Sequence, residues 1–189
     1  MHRNVLIIIT GMPGTGKTTL GKELSAKYKI PFISKDALKD RMFDTLGWSD
    51  KAWSLKVSAA AHRIMDDMVA QELEAGHSVI VESNFKPEID SMRFRNIQGK
   101  YQCRIVQVLC WAEGETVFRR FMARLGTEAR HAGHVEAIST EQIRQGFIEA
   151  NGKDSPLDIG DVTIELDTTD IKHIDYSKIY ATIEGEPKR

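Results

Sequence analysis

Cysteine is scarce in this chain of 189 residues, which carries only Cys103 and Cys110. Seven positions apart in one apolar stretch, the two face opposite sides of a sheet if that stretch is a strand, so they cannot bridge. A disulfide framework is thereby excluded, and reduced, buried thiols of a cytoplasmic protein are expected. Charge of one sign is lacking too: 26 Lys and Arg against 27 Asp and Glu leave a net charge of −1. That balance argues against sequence-independent binding to long nucleic acid. Long apolar runs are missing. The run 5–9 is too short for a signal-peptide core, and no stretch approaches the roughly 20 residues of a membrane span. No repeat or low-complexity tract is present. With 41% hydrophobic residues, the chain can bury one α/β core and is too small for two, so a single domain over 1–189 is expected.

The stretch 5–19, VLIIITGMPGTGKTT, organises what is there. A short β-branched run ends at Thr10, and Gly11, Met12, Pro13, Gly14, Thr15, Gly16, Lys17, Thr18 and Thr19 follow as G-x-x-x-x-G-K-T-T. This is the pattern of a phosphate-binding loop: glycines stand where backbone N–H groups turn inward around an anion. A helix starting near Lys17 aims its positive end at the same phosphates. Lys17 is expected to reach the β- and γ-phosphates, and Thr18 to offer its hydroxyl to Mg²⁺.

Strand and helix then alternate. Leu20, Leu24 and Tyr28 mark a helix that Pro31 stops; Phe32 and Ile33 make a strand; Leu38, Met42 and Leu46 stripe a second helix closed by Gly47. A longer helix over 49–75 is expected to turn Trp53, Val57, Ala61, Ile64, Met68 and Leu73 inward. Strands over 78–82, 103–111 and 161–166 follow, with helices at 87–98, 116–125, 139–151 and 176–183 between and after them. Ser139 and Gln142 form a capping box. Five strands with intervening helices imply a parallel sheet with right-handed crossovers, helices on both faces, and ligands beyond the carboxyl ends of the strands.

Candidate residues fall where that rule puts them. Asp36, after the second strand, is placed to take a proton from a substrate hydroxyl, although an aspartate in a first helical turn also stabilises the helix alone. Lys39, one turn on, could bind an anionic substrate group. Glu82 could hold a Mg²⁺-bound water or orient a cation, and Asn84 could hydrogen-bond the substrate. After the fourth strand, Arg120 and Arg124 share a helix face. With Arg130 in the R-H-A-G-H stretch they suggest a mobile lid, at about 119–138, that brings guanidinium groups to phosphates. His131 and His134 have metal-compatible spacing, but no cysteine or carboxylate set completes a zinc site. Asp44 to Gly47 imitates a D-x-x-G switch yet ends a helix, and no N-K-x-D occurs, so the GTPase reading is set aside. Trp48 and Trp53 are expected to pack between two helices.

The segments GMPGTGKTT, SKD, VESNF and the R-x-x-x-R followed by RHAGH resemble the small P-loop kinases allied to polynucleotide kinase, zeta-type toxins and chloramphenicol phosphotransferase. The chain is similar, more closely, to bacterial predicted kinases or AAA-type ATP-binding proteins. The resemblance implies a five-stranded parallel sheet in the nucleoside-monophosphate-kinase style, a three-layer sandwich with a helical lid, and ATP with Mg²⁺ as donor. It implies Asp36 as general base, Lys17 and Arg124 as transition-state contacts, Lys39 at a basic position, and adenine contacts near Asp167 to Thr169, with Thr168 among them. An aspartate stands in the phage polynucleotide kinase pattern where this chain has Glu82. The chain departs from that pattern in lacking a strong basic channel for a nucleic-acid strand. The expectation is therefore an ATP-dependent phosphotransferase acting on a hydroxyl of a small molecule. Phosphorylation of a nucleotide or oligonucleotide 5′-hydroxyl, and a nucleotide-binding or slow ATPase module without acceptor, stand as alternatives.

Overall fold

The structure, a computed structural model, describes residues 4–135, 139–159 and 162–185. Five strands, β1 (Val5–Thr10), β2 (Phe32–Ser34), β3 (Val79–Glu82), β4 (Arg104–Trp111) and β5 (Val162–Asp167), form one sheet in the order β2-β3-β1-β4-β5. Every pairing is parallel. Seven helices are described: α1 (Lys17–Tyr28), α2 (Lys35–Leu46), α3 (Lys51–Glu74), α4 (Pro87–Tyr101), α5 (Gly114–Met122), α6 (Thr140–Glu149) and α7 (Ser177–Glu184). The expected five-stranded parallel fold is thus borne out. Asp161, expected to open the last strand, and 136–138 of the expected lid lie outside the described residues.

The strands alternate their side chains between two apolar layers. Leu6 and Ile8 of β1 pack with Met65, Val69 and Leu73 of α3 and Phe94 of α4. Ile7 and Ile9 pack with Leu20 and Leu24 of α1 and Ile179 of α7. Cys103 joins the first layer and Cys110 the second, and the two are not joined in a disulfide. Burial pushes the Cys110 thiol up to about 12. A third cluster, around Val117, Phe121 and Phe147, joins α5 to α6, and the Ser139–Gln142 capping box forms as expected.

Helix phases differ from expectation in two places. Along α3 the buried face is Val57, Ala61, Met65, Val69 and Leu73, while Ile64 and Met68 are exposed. On α2 the buried residues are Lys39 and Phe43, and Leu46 is exposed. Helix α1 ends on Lys29 in the left-handed region (φ 58°), two residues before Pro31. Trp48 is 52% exposed, so it does not pack between helices as expected, whereas Trp53 donates its ring N–H to Gly47 O at 3.0 Å.

Strand order positions the site. The connection after β1 returns through β2 and β3 on one side of β1, and the connection after β3 crosses to β4 on the other. The β1–α1 loop therefore lies at the point where the winding reverses, the place at which a parallel sheet opens a ligand crevice.

Candidate active site

The loop after β1 takes the shape its glycines permit. Gly11 has φ 135°, and a Cβ there would overlap the Cys110 carbonyl of β4. The Thr15 hydroxyl donates to Met12 O at 2.8 Å, and Lys17 Nζ donates to the same carbonyl at 2.9 Å. Pro13, Gly14, Gly16, Lys17, Thr18 and Thr19 line a cavity of about 670 Å³. Gly11, Met12 and Thr15, expected to touch the nucleotide, are not among the lining residues. Thr15 is 0% exposed and shapes the loop from behind.

Asp36, Lys39, Glu82 and Asn84 line the same cavity. Because β3 lies between β1 and β2, the loop and Asp36 start from strands two spacings apart, about 10 Å. Glu82 ends the intervening strand with its side chain buried, and its Oε2 accepts from Ser34 at 2.7 Å and from Thr18 at 3.3 Å. The Asp36 side chain is 55% exposed, with Lys35 Nζ at 3.7 Å. Burial pushes its carboxyl up, but Lys35, His134, Lys17 and Lys39 together outweigh burial and hold it below the ordinary value. Asp36 is therefore a carboxylate at neutral pH. Lys39 is 7% exposed and donates to Ser54 Oγ at 3.2 Å. Asn84 Oδ1 is buried without a hydrogen-bond partner among the described residues.

The arginines divide into two kinds. Arg120 lines the cavity but donates to Thr168 O at 2.8 Å and Thr169 O at 3.0 Å, tying α5 to the chain after β5. Arg124 Nε is buried with no hydrogen-bond partner among the described residues. Burial and neighbouring Arg130 lower its pKa, while Asp36 and Glu82 oppose them, so its charge is felt by both carboxylates. Arg130 also lines the cavity, its guanidinium 5.1 Å from the Phe121 ring centre. Thr168, expected near adenine, is turned inward instead. It is 2% exposed, and its hydroxyl lies 3.1 Å from Thr15 O and 3.0 Å from Trp111 O, so it braces the loop without lining the cavity.

Residues 131–135 lean on α2 and α3. His131 stacks on Phe43 and lies 3.4 Å from Asp44; His134 meets Asp40 at 2.6 Å; Lys51 donates to Val135 O at 2.9 Å. Both histidines thus face carboxylates of α2. Sequence reasoning missed Lys35, Lys51, Ser54, Ser58 and Ile171 as lining residues. Lys35 had a signal, its i,i+4 spacing to Lys39; Lys51, Ser54, Ser58 and Ile171 had none, being ordinary surface residues in sequence.

Thr18 and Glu82 fit a Mg²⁺ ion. They offer a hydroxyl and a carboxylate oxygen 3.3 Å apart beside the loop, and such an ion takes one or two protein oxygens, with phosphate and water completing the shell. Among the described residues no helix is long and apolar enough to cross a membrane.

Residues 6–149 match the AAA domain family. A "putative kinase" from Chloroflexus aurantiacus J-10-fl is 35% identical, with 99% of this chain and 100% of that one covered at a TM-score of 0.89. The shikimate kinase of Bacteroides thetaiotaomicron is 33% identical over 98 residues, 51% of this chain and 54% of that protein, so the match spans about half the length of this relative. The shikimate kinase of Acinetobacter baumannii in complex with shikimate shares the fold at 18% identity and a TM-score of 0.52, covering 100% of this chain and 97% of that one. The chain belongs to the AAA domain family, in the form of a small P-loop protein with a kinase-like fold.

Proposed function

We propose that the chain is an ATP-dependent kinase that moves the γ-phosphoryl group to a hydroxyl of a small-molecule acceptor. The observation that carries this reading is that Lys17 and Thr18 share one cavity with Asp36. A nucleotide-binding module needs the first two, whereas transfer to an acceptor also calls for a carboxylate that can meet its hydroxyl. A relative named for a small-molecule acceptor, shikimate kinase, supports the same reading. The pattern SKD, VESNF and RHAGH supports the finer likeness to the polynucleotide kinase and zeta-toxin group. The chain over 1–189 is read as one kinase unit with a lid at about 119–138.

Lys17 follows the charge that shifts between the β- and γ-phosphates, and Arg124 and Arg130 meet the equatorial oxygens of the transferring group. Thr18 and Glu82 would hold the Mg²⁺, which when bound neutralises charge on the phosphate oxygens. Asp36 accepts a hydrogen bond from the acceptor hydroxyl and aligns it. As the acceptor oxygen bonds to the γ-phosphorus, the bond from that phosphorus to the bridging oxygen breaks, ADP leaves, and the hydroxyl proton passes to Asp36. Its lowered pKa makes Asp36 an orienting acceptor more than a strong base, which suits a loose transition state with late proton transfer.

The test is Asp36→Asn, with product read by mass and ATP binding by calorimetry. Turnover is expected to fall by about 10²- to 10⁴-fold with ATP affinity nearly unchanged. Unchanged transfer to every accepted acceptor would refute the role of Asp36, and bound ATP with no phosphorylated product from any acceptor would refute the kinase reading.

A further inference from the structure

The acceptor side of the cavity carries more positive charge than the donor requires. Among the described residues, seven cationic side chains and two carboxylates line the space. A magnesium–triphosphate brings about two negative charges, so roughly three of the five in excess stay unbalanced. Three cations, Lys35, Lys39 and Lys51, come from α2 and the first turn of α3, away from the phosphate loop. They are not solvated surface charges throughout: Lys39 is 7% exposed and the Lys35 side chain 13%. Glu82, the second carboxylate, is already engaged by the hydroxyls of Thr18 and Ser34, which leaves Asp36, among the described residues, as the near counter-charge. Ser54 and Ser58 add hydroxyls to the same wall, and the Ser54 bond uses one of the three donors of the Lys39 ammonium.

From this we infer that the acceptor is itself an anion, a hydroxylated small molecule whose carboxylate or phosphate group is held by Lys39, Lys51 and Ser54 while its hydroxyl faces Asp36. The inference rests on the kinase reading above and adds the substrate class to it. Burial first, and then the fields of Lys35, Lys51 and Arg130, bring Lys39 down to about 8, with Asp36 opposing. An anion beside Lys39 would oppose both effects and favour its ammonium. The cavity volume of about 670 Å³ is that of a site for small ligands, so the anion is a metabolite and not a strand of nucleic acid.

The experiment splits a bacterial metabolite extract on an anion exchanger into unretained and retained fractions. Half of the retained fraction is treated with a phosphatase, which is then filtered away. Each fraction is incubated with the full chain and Mg-ATP, and new phosphorylated masses are counted against a Lys17→Ala blank. Product is expected from the retained fraction alone; survival of phosphatase treatment assigns a carboxylate and loss of it a phosphate monoester. Product from the unretained fraction alone overturns the inference and leaves the kinase reading intact. Product from no fraction, with ATP still bound, overturns both. With the acceptor in hand, Lys39→Met and Lys51→Met should each raise its KM about tenfold or more, the scale of a lost hydrogen bond to a charged group, with the KM for ATP within about twofold. Lys51 is exposed, so its variant keeps the test open if Lys39→Met fails to fold. An unchanged acceptor KM in both variants overturns the inference.

Discussion

Lys39 keeps an ammonium where burial disfavours one. Its folded pKa of about 8 lies below the ordinary 10.5, so between these values the unfolded chain binds more protons than the folded chain. Stability therefore rises with pH from 8 to 10.5, and below pH 8 the cost is present in full. At about 1.4 kcal/mol per unit the cost is on the order of 3–4 kcal/mol at pH 7. Lys39→Met, which fills the same space without charge, should be more stable by that order in urea unfolding at pH 7. The gap should close as pH approaches 10.5. A variant less stable than the parent at pH 7 would mean that Lys39 serves the fold, and would remove the reason for treating its burial as functional. Lys17, Thr18 and Asp36 were legible in the sequence because each follows a strand directly, in a motif or a first helical turn. Lys51 and Ser54 were not, because what makes them site residues is the packing of α3 beside α2.

Gln107 shows how one element is tied to another. It interrupts an otherwise apolar central strand and is 0% exposed. Its Oε1 accepts from Leu157 N–H at 2.7 Å, and its Nε2 donates to Leu157 O at 3.2 Å and Thr163 Oγ1 at 2.8 Å. The chain entering β5 is thus held by an amide on β4 at a depth where water is not at hand. Gln107→Leu leaves a buried backbone N–H and C=O unmet, so a loss of about 2–4 kcal/mol is expected from the shift in denaturation midpoint. A loss below about 0.5 kcal/mol, the range of a surface substitution, would show that the amide does not hold β5. The sequence pattern showed strand and helix correctly for these elements and failed on helix phase for a physical reason. Helix α3 has apolar residues at 64, 65, 68 and 69, so two faces one residue apart both satisfy a four-residue period. Contact with the sheet decides for Met65 and Val69. On α2 the misread face points to the cavity and to residues 131–135, where a lysine and an aromatic ring are buried in place of a leucine stripe.

At the scale of the whole molecule, the alternation of elements was legible because parallel strands require crossovers. The order β2-β3-β1-β4-β5 was not, since nothing local says which strand neighbours which. That order gives the site a rigid floor and a weakly held roof. The floor is β1 with its loop, whose residues from Leu6 to Gly11 are all buried. The roof, residues 124–135, meets the rest of the wall mainly around Phe43. This ring is 2% exposed, stacks on His131 at 5.2 Å, meets the edge of His134 at 5.6 Å, and leaves no room for a Cβ on Gly133. The carboxylates that meet the two histidines, Asp44 and Asp40, are 52% and 42% exposed, so water screens these pairs and they add little. Phe43 is then the seat on which a lid carrying Arg124 and Arg130 would rest. Phe43→Ala should speed amide exchange in 130–135 by at least about tenfold, equivalent to some 1.4 kcal/mol of lost local stability, and leave β1 protected. On the proposed kinase reading the same variant should lower turnover far more than ATP affinity, because Phe43 meets Lys39, His131, Gly133 and His134 and not the glycine-rich loop. Unchanged exchange in 130–135 would mean that the roof is held elsewhere. Faster exchange with unchanged turnover would mean that these arginines do not need the closed position to act.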